Sequence, residues 1–318
     1  MRLVNVLGVL IVLAAGAGGL WYWQSRDASP VEETETVSAE PVTSEPVERF
    51  VDVAGATIRI REEGPADAPV LLLLHGFTYS LETWDGWAEE LSDRYRIIRY
   101  DLLGHGLTGP DPQERYAPKE RAQFVGEVMD ALELDHAIIG GNSLGGLAAW
   151  RFASMSPERV DAMILVSPGA YPMNGVGDEA APVPPALSIY LQTVPDIALR
   201  ASIARIYADP ASVPEERIQE IGAMMRREGN GDAMIKSLEE FTLPDPEEDL
   251  RKLTMPVLLL WGEADQVIPP EHAERLMAVL PDAMLITYPG VGHVTHEEET
   301  AKSAADVAAF LSDHGLEK

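Results

Sequence analysis

Ser143 lies in Gly141-Asn142-Ser143-Leu144-Gly145, directly after the apolar run Ala137-Ile138-Ile139 and directly before a helical pattern. A serine hydroxyl becomes a strong nucleophile only when a histidine accepts its proton. The histidine in turn needs a carboxylate to fix its tautomer and stabilise the imidazolium. A serine at the apex of a sharp strand-to-helix turn meets the geometric half of that requirement. Its hydroxyl is lifted above the sheet at the amino end of a helix, where the dipole favours developing negative charge. The flanking glycines suit a strained backbone that neighbouring chains approach closely. A Gly-x-Ser-x-Gly pattern also occurs by chance, and such a serine can simply cap a helix. The strand before it and the helix after it favour the nucleophile.

The elements that must hold this turn are legible as alternating patterns. Val51-Asp52-Val53 and Thr57-Ile58-Arg59-Ile60 alternate around Gly55 and predict a hairpin. Short apolar runs follow at Val70–Leu74, Tyr95–Tyr100, Ala137–Ile139, Ala162–Val166, Val257–Trp261 and Met284–Tyr288. Runs of this length separated by helices predict strands buried on both faces, hence an α/β fold with a mostly parallel sheet and helices on both sides. Helical patterns fall at about Thr83–Leu91, Lys119–Leu132, Leu144–Met155, Pro270–Leu280 and Glu297–Leu311. Between Tyr171 and Leu253 the alternation stops. Helices are expected there at Leu187–Thr193, Asp196–Tyr207, Pro214–Glu228 and Gly231–Phe241, with Ser212 and Glu215 forming a capping box around Pro214. The expected organisation is a core over 50–170, a helical cap over 171–253 above the strands' carboxyl ends, and the rest of the core over 254–318.

At the Ser143 turn the chain resembles the α/β-hydrolase superfamily, and the resemblance extends over about residues 50–314. Superfamily members carry a carboxylate after the strand that follows the cap and a histidine after the last strand. Those positions hold Asp265, in Trp261-Gly-Glu-Ala-Asp-Gln-Val-Ile-Pro269, and His293, in Gly290-Val-Gly-His-Val294. The order serine, aspartate, histidine matches. Glu263 and His296 compete for the two roles, although His296, near a helix start, reads as a solvent-exposed side chain. Some relatives place the acid after the strand before the cap, a position held here by Ser167. The resemblance also implies an oxyanion hole made by the backbone N–H groups of Phe77, in Leu74-His75-Gly76-Phe77, and of Leu144. It gives His75 a structural role, and it gives Asp101 and His105 the job of shaping a turn near Ser143.

These features predict a serine hydrolase of carboxylic esters, requiring neither a metal nor an organic cofactor. A capped, membrane-tethered enzyme suits a medium-chain or lipid-like ester such as a monoacylglycerol. Leu187, Tyr190, Leu191, Ile203, Tyr207, Met224, Met225 and Met234 are candidates for the pocket lining, or for the cap's own core. Relatives that cleave haloalkanes or epoxides use an aspartate at the Ser143 position and are set aside. Carbon–carbon bond hydrolases of ring-cleavage products, which often have an elbow like Gly-Asn-Ser-Leu-Gly-Gly, remain open. So do cofactor-free haloperoxidase or perhydrolase-like members, lactonases, amidases and a non-catalytic binding module.

Composition sets the surroundings. The 318 residues carry 52 acidic and 24 basic side chains, a formal net charge of −28, which disfavours nucleic acid as a partner. No cysteine is present, which excludes a disulfide scaffold, a thiolate metal site and a cysteine nucleophile. Leu3–Trp23 is uncharged and, as a helix, would span about 31 Å, close to a bilayer's hydrocarbon core. It is expected to act as a membrane anchor, or as a cleaved signal with Ala15-Gly16-Ala17 as processing site, leaving the body exported. Residues 25–49 read as an acidic, extended tether. Seven acids and three bases fall in residues 1–49, so the body keeps 45 acids and 21 bases, and the acidity belongs to the folded part. With five lysines in the whole chain, this surface suits high salt.

Overall fold

A computed structural model describes residues 46–317. The apolar run Leu3–Trp23 and most of the acidic tether lie outside the described residues. Among the described residues no helix is long and apolar enough to cross a membrane.

The strands are β1 (Val47–Val53), β2 (Ala56–Glu63), β3 (Val70–Leu74), β4 (Arg96–Tyr100), β5 (Ala137–Asn142), β6 (Val160–Val166), β7 (Val257–Gly262) and β8 (Ala283–Tyr288). They form one eight-stranded sheet in the order β1-β2-β4-β3-β5-β6-β7-β8. Strand β2 is antiparallel to both β1 and β4, and every later pairing is parallel. The expected α/β fold with a mostly parallel sheet is present. The hairpin turns at Ala54 and Gly55, both at positive φ, so Val53 faces Ala56 across a tight turn whose twist matches the strands. Strand β1 begins at Val47, inside the stretch expected to be tether. Pairing with the alternating face of β2 recruits those residues, because Arg49 reaches Glu62 at 2.9 Å.

Burial on both faces explains the uninterrupted apolar strands. Leu72 and Leu74 pack on one side with α2 (Pro118–Ala131), α3 (Leu144–Met155) and α9 (Glu271–Met277). Leu71 and Leu73 pack on the other with α1 (Asp85–Leu91) and α11 (Thr300–Asp313). A period of two thus divides each strand between two helical layers. The helix expected at Glu297–Leu311 is interrupted: a short α10 (Thr295–Glu298) precedes α11.

Between β6 and β7 run α4 (Pro185–Thr193), α5 (Asp196–Ile206), α6 (Glu215–Met225), α7 (Asn230–Glu239) and α8 (Glu247–Leu250). Residues from Tyr190 to Met234 share a separate apolar cluster with Tyr79 and Val294. The ends of the insertion do not join it: Tyr171, Leu243, Leu250 and Leu253 are buried in the main core. The capping box expected at α6 is absent. Pro214 occupies the N-cap, while the Ser212 hydroxyl donates to the Asp209 carbonyl at 2.7 Å and Glu215 pairs with Arg200. Ser212 lies two residues before the N-cap, too early to cap the helix.

Candidate active site

The turn that carries Ser143 is strained and tightly enclosed. Ser143 has φ 54° and ψ −112°, a region that side chains with a Cβ seldom occupy. Its N–H donates to the Val166 carbonyl at 3.1 Å, and its carbonyl accepts from Leu147 at 2.9 Å and Gly169 at 3.0 Å. Sheet, helix and the loop after β6 thus hold the strained residue from three sides. The glycines are required by space. A Cβ on Gly141 would sit 2.6 Å from the Gly145 carbonyl, and one on Gly145 would collide with the Leu74 and His75 carbonyls. Leu144 opens α3, so its N–H has no acceptor within the helix.

Asp265 and His293 meet, although 28 residues separate them in sequence. His293 Nδ1 donates to Asp265 Oδ2 at 2.8 Å, and Asp265 Oδ1 accepts from the Val267 and Ile268 amides at 2.7 and 3.0 Å. Burial alone would raise the Asp265 carboxyl. The His293 ring and the two amides more than offset this and hold it below the usual carboxylate range. With the proton on Nδ1, Nε2 is left as the acceptor nitrogen. The competing carboxylate, Glu263, is exposed and accepts from Thr287 at 3.0 Å.

The competing histidine, His296, departs from expectation: it is buried, not solvent-exposed. Its ring stacks on Trp84 with centroids 4.1 Å apart, and its Nε2 lies 2.8 Å from Thr83 Oγ1. Burial pushes it down to about 3. Ser167, the alternative acid position, is fully buried at φ 41°.

His75 and Asp101 brace the surrounding loops. His75 Nδ1 donates to Gly76 O at 2.8 Å while Nε2 accepts from the Leu102 amide at 2.9 Å, which fixes its neutral tautomer; burial pushes it down to about 4. Asp101 accepts from the Leu81 and Leu107 amides at 2.8 and 2.7 Å. His105 packs edge-on against His75 and Phe77.

Ser143 and His293 line one cavity of about 450 Å³ with Gly76, Phe77 and Asn142. A Cβ placed on Gly76 would come 3.4 Å from Ser143 Cβ, so the Phe77 loop passes close to the serine. Of the eight candidate lining residues, Leu187, Tyr190 and Leu191 face the cavity. Ile203, Tyr207, Met225 and Met234 fill the insertion's own core, and Met224 is not among the lining residues. Sequence reasoning missed Tyr79, Ala201, Ser202, Arg205, Ile206 and Val267, which complete much of the wall. Period-four spacing along α5 links Ala201 with Arg205 and would have flagged that face.

It also missed the ties that hold the His293 loop to β5 and to the insertion. Asn142 Nδ2 donates to the His293 carbonyl at 3.2 Å and to the Val166 carbonyl at 3.1 Å. The His293 amide donates to Ile206 O at 2.7 Å, and Glu298 accepts from the Ala208 and Gly292 amides, both at 2.8 Å.

Comparison with known proteins identifies the fold and the family. The chain is 28% identical over 272 residues to the dihydrolipoyllysine-residue acetyltransferase component of the acetoin cleaving system of Pseudomonas putida, covering 85% of this chain and 70% of that protein. It is 30% identical over 256 residues to lipase 3 of a Moraxella species, covering 78% of each. A meta-cleavage product hydrolase from Pseudomonas fluorescens has the same fold, with a TM-score of 0.72 at 24% identity over 83% of this chain and 97% of that one. Residues 69–300 match the model of the alpha/beta hydrolase fold family. With that match, the sheet order and the Ser143 turn, this chain belongs to the alpha/beta hydrolase fold family.

Proposed function

We propose that the protein is a serine hydrolase of carboxylic esters with Ser143, His293 and Asp265 as its catalytic residues. The observation that carries the reading is the Asp265–His293 pair, aligned by the Val267 and Ile268 amides, beside a cavity that His293 shares with the strained Ser143. In the proposed cycle the Ser143 hydroxyl adds to the ester carbonyl as its proton passes to His293 Nε2. Asp265 stays ionised and stabilises the imidazolium. The Phe77 and Leu144 N–H groups receive the oxyanion. Collapse expels the alcohol, which takes the proton from His293. Water, deprotonated by the same nitrogen, then cleaves the acyl-enzyme and releases the acid.

The similarity to a lipase and the largely apolar wall of Phe77, Leu187, Leu191, Ile206 and Val267 support a medium-chain or lipid-like acyl group. The apolar run Leu3–Trp23 supports a body tethered at the exported face of a membrane. A panel of p-nitrophenyl esters from acetate to palmitate tests the substrate class, with a ring-cleavage dienoate alongside. A chain-length optimum with weak dienoate turnover is the expected result. Strong dienoate turnover with weak esterase activity moves the protein to carbon–carbon bond hydrolysis.

A further inference from the structure

Four residues past His293, the Glu297 carboxylate gathers donors from three separate segments. Arg217, on α6, binds it with two N–H groups along one edge of its guanidinium, Nη2 at 2.8 Å from Oε1 and Nε at 3.2 Å from Oε2, while Nη1 pairs with Glu220 at 2.6 Å. The Tyr207 hydroxyl, at the end of α5, donates to Oε2 at 2.5 Å. Thr83, in the 3-10 turn Leu81–Trp84, donates to Oε1. The Arg217 and Glu297 side chains are only 13% and 14% exposed, so this is a mostly desolvated pair whose carboxylate lacks no partner.

One of the segments it joins, the end of α5, is a wall of the cavity. Ala201, Ser202, Arg205 and Ile206 line it from the last turns of α5, immediately before Tyr207. Tyr79 lines it from the Phe77 loop, and the Arg217 guanidinium lies over the Tyr79 ring, 5.5 Å from its centroid. No bond from Glu297 to Ser143, Asp265 or His293 is found, so its influence passes through the residues it holds.

We propose that Glu297 is a positioning residue that sets the acyl cavity by clamping the end of α5 and the start of α6 against the Thr83 turn and the His293 segment. In its substrate consequences this rests on the ester-hydrolase reading; in its structural consequences it does not. Removing the carboxylate leaves Arg217 with only the more exposed Glu220, its neighbour on α6, as counter-charge. The guanidinium then turns toward water, α6 follows, and the α5 wall loses its anchor. A short acyl chain, held by Ser143 and the Phe77 loop, feels little of this. A long one loses its wall.

The test uses the full chain as wild type, Glu297→Ala, Glu297→Gln and Arg217→Met. The first readout is kcat and KM on p-nitrophenyl acetate and octanoate, and the second is hydrogen exchange across residues 196–225. For Glu297→Ala the octanoate-to-acetate ratio of kcat/KM should fall about tenfold, mainly through KM, with a smaller fall for Glu297→Gln, which keeps the shape of the group. Exchange should rise in 196–225 and stay unchanged in β5, β6 and β7. Equal losses on both esters, an unchanged ratio, or exchange rising equally in the sheet would each overturn the proposal. Should Glu297→Ala not fold, Arg217→Met removes the same pair from the other side and carries the same expectation. If the wild type cleaves no ester, the ester reading fails, and the exchange comparison alone decides whether Glu297 clamps the insertion.

Discussion

The side-chain amide of Asn142 donates to the backbone carbonyl of His293 at 3.2 Å, joining the residue before the strained serine to the residue proposed as its base. The same amide nitrogen also donates to the Val166 carbonyl, and Asn142 is 2% exposed. One side chain therefore ties the end of β5 both to the end of β6 and to the loop after β8.

Asn142→Ala removes both bonds and leaves two buried carbonyls without this donor. The expected cost is about 1–3 kcal/mol of stability. A misplacement of His293 relative to Ser143 should lower kcat about ten- to hundredfold with little change in KM. Steady-state kinetics beside a thermal melt check this. A stable variant with wild-type kcat would show that the bond does not position the base.

The glycines separate steric need from conformational need. Gly145→Ala drives a Cβ into the Leu74 and His75 carbonyls, where neither the start of α3 nor the end of β3 can yield, and should cost about 3 kcal/mol or more or abolish soluble expression. Gly290, at φ 75°, has no neighbour within 4 Å of an added Cβ, so Gly290→Ala should cost only about 1–2 kcal/mol of backbone strain. Denaturant melts of the two variants give the order, and a reversal would contradict the packing of the elbow.

Buried histidines set the acid limit. His75 is pushed down to about 4 and His296 to about 3, while burial holds His105 well below its ordinary value. All three stay neutral in the fold but take a proton in the unfolded chain below about pH 6.5, so stability falls as pH drops. Asp101, raised by burial to about 6, opposes them, because it binds its proton in the fold before it would in the open chain. These histidines outnumber the opposing carboxylate, so stability should fall from pH 6 to pH 5, at about 1.4 kcal/mol per unit for each net proton. His296→Asn should flatten that slope in urea titrations across this range. An unchanged slope would show that His296 does not contribute.

The acidity of the body predicts a response to salt. Screening relieves repulsion among its 45 acidic side chains against 21 basic ones, so the melting temperature should rise between low salt and about 1 M NaCl. A protein fully stable and active without salt would show that the carboxylates are not an adaptation of this kind.

The strands and the Ser143 turn were legible in the sequence because their signals are local. Strands β3 and β7 are apolar throughout because both faces are covered, and the Gly141-to-Gly145 spacing is imposed within a single turn. The assignment of Asp265 and His293 drew on family resemblance, and the structure brings the two together. What stayed hidden is bonding between distant segments. His296 reads as a solvent-exposed side chain near a helix start, yet Trp84 covers it; beside it Arg217 and Tyr207 engage Glu297, and the Ala208 and Gly292 amides use Glu298. No periodicity announces partners that lie 80 or 90 positions away. The missing cap at α6 has a different origin: the helix starts at Glu215 behind Pro214, two residues past Ser212.

The central claim is that Ser143 attacks the ester. The most direct measurement is turnover of p-nitrophenyl octanoate by wild type and Ser143→Ala, with mass spectrometry of the quenched reaction. An octanoyl adduct on Ser143 is expected in the wild type, with turnover lower by about a thousandfold or more in a variant that melts like the parent. A variant with turnover close to wild type, or an acyl group found on another residue, would contradict it.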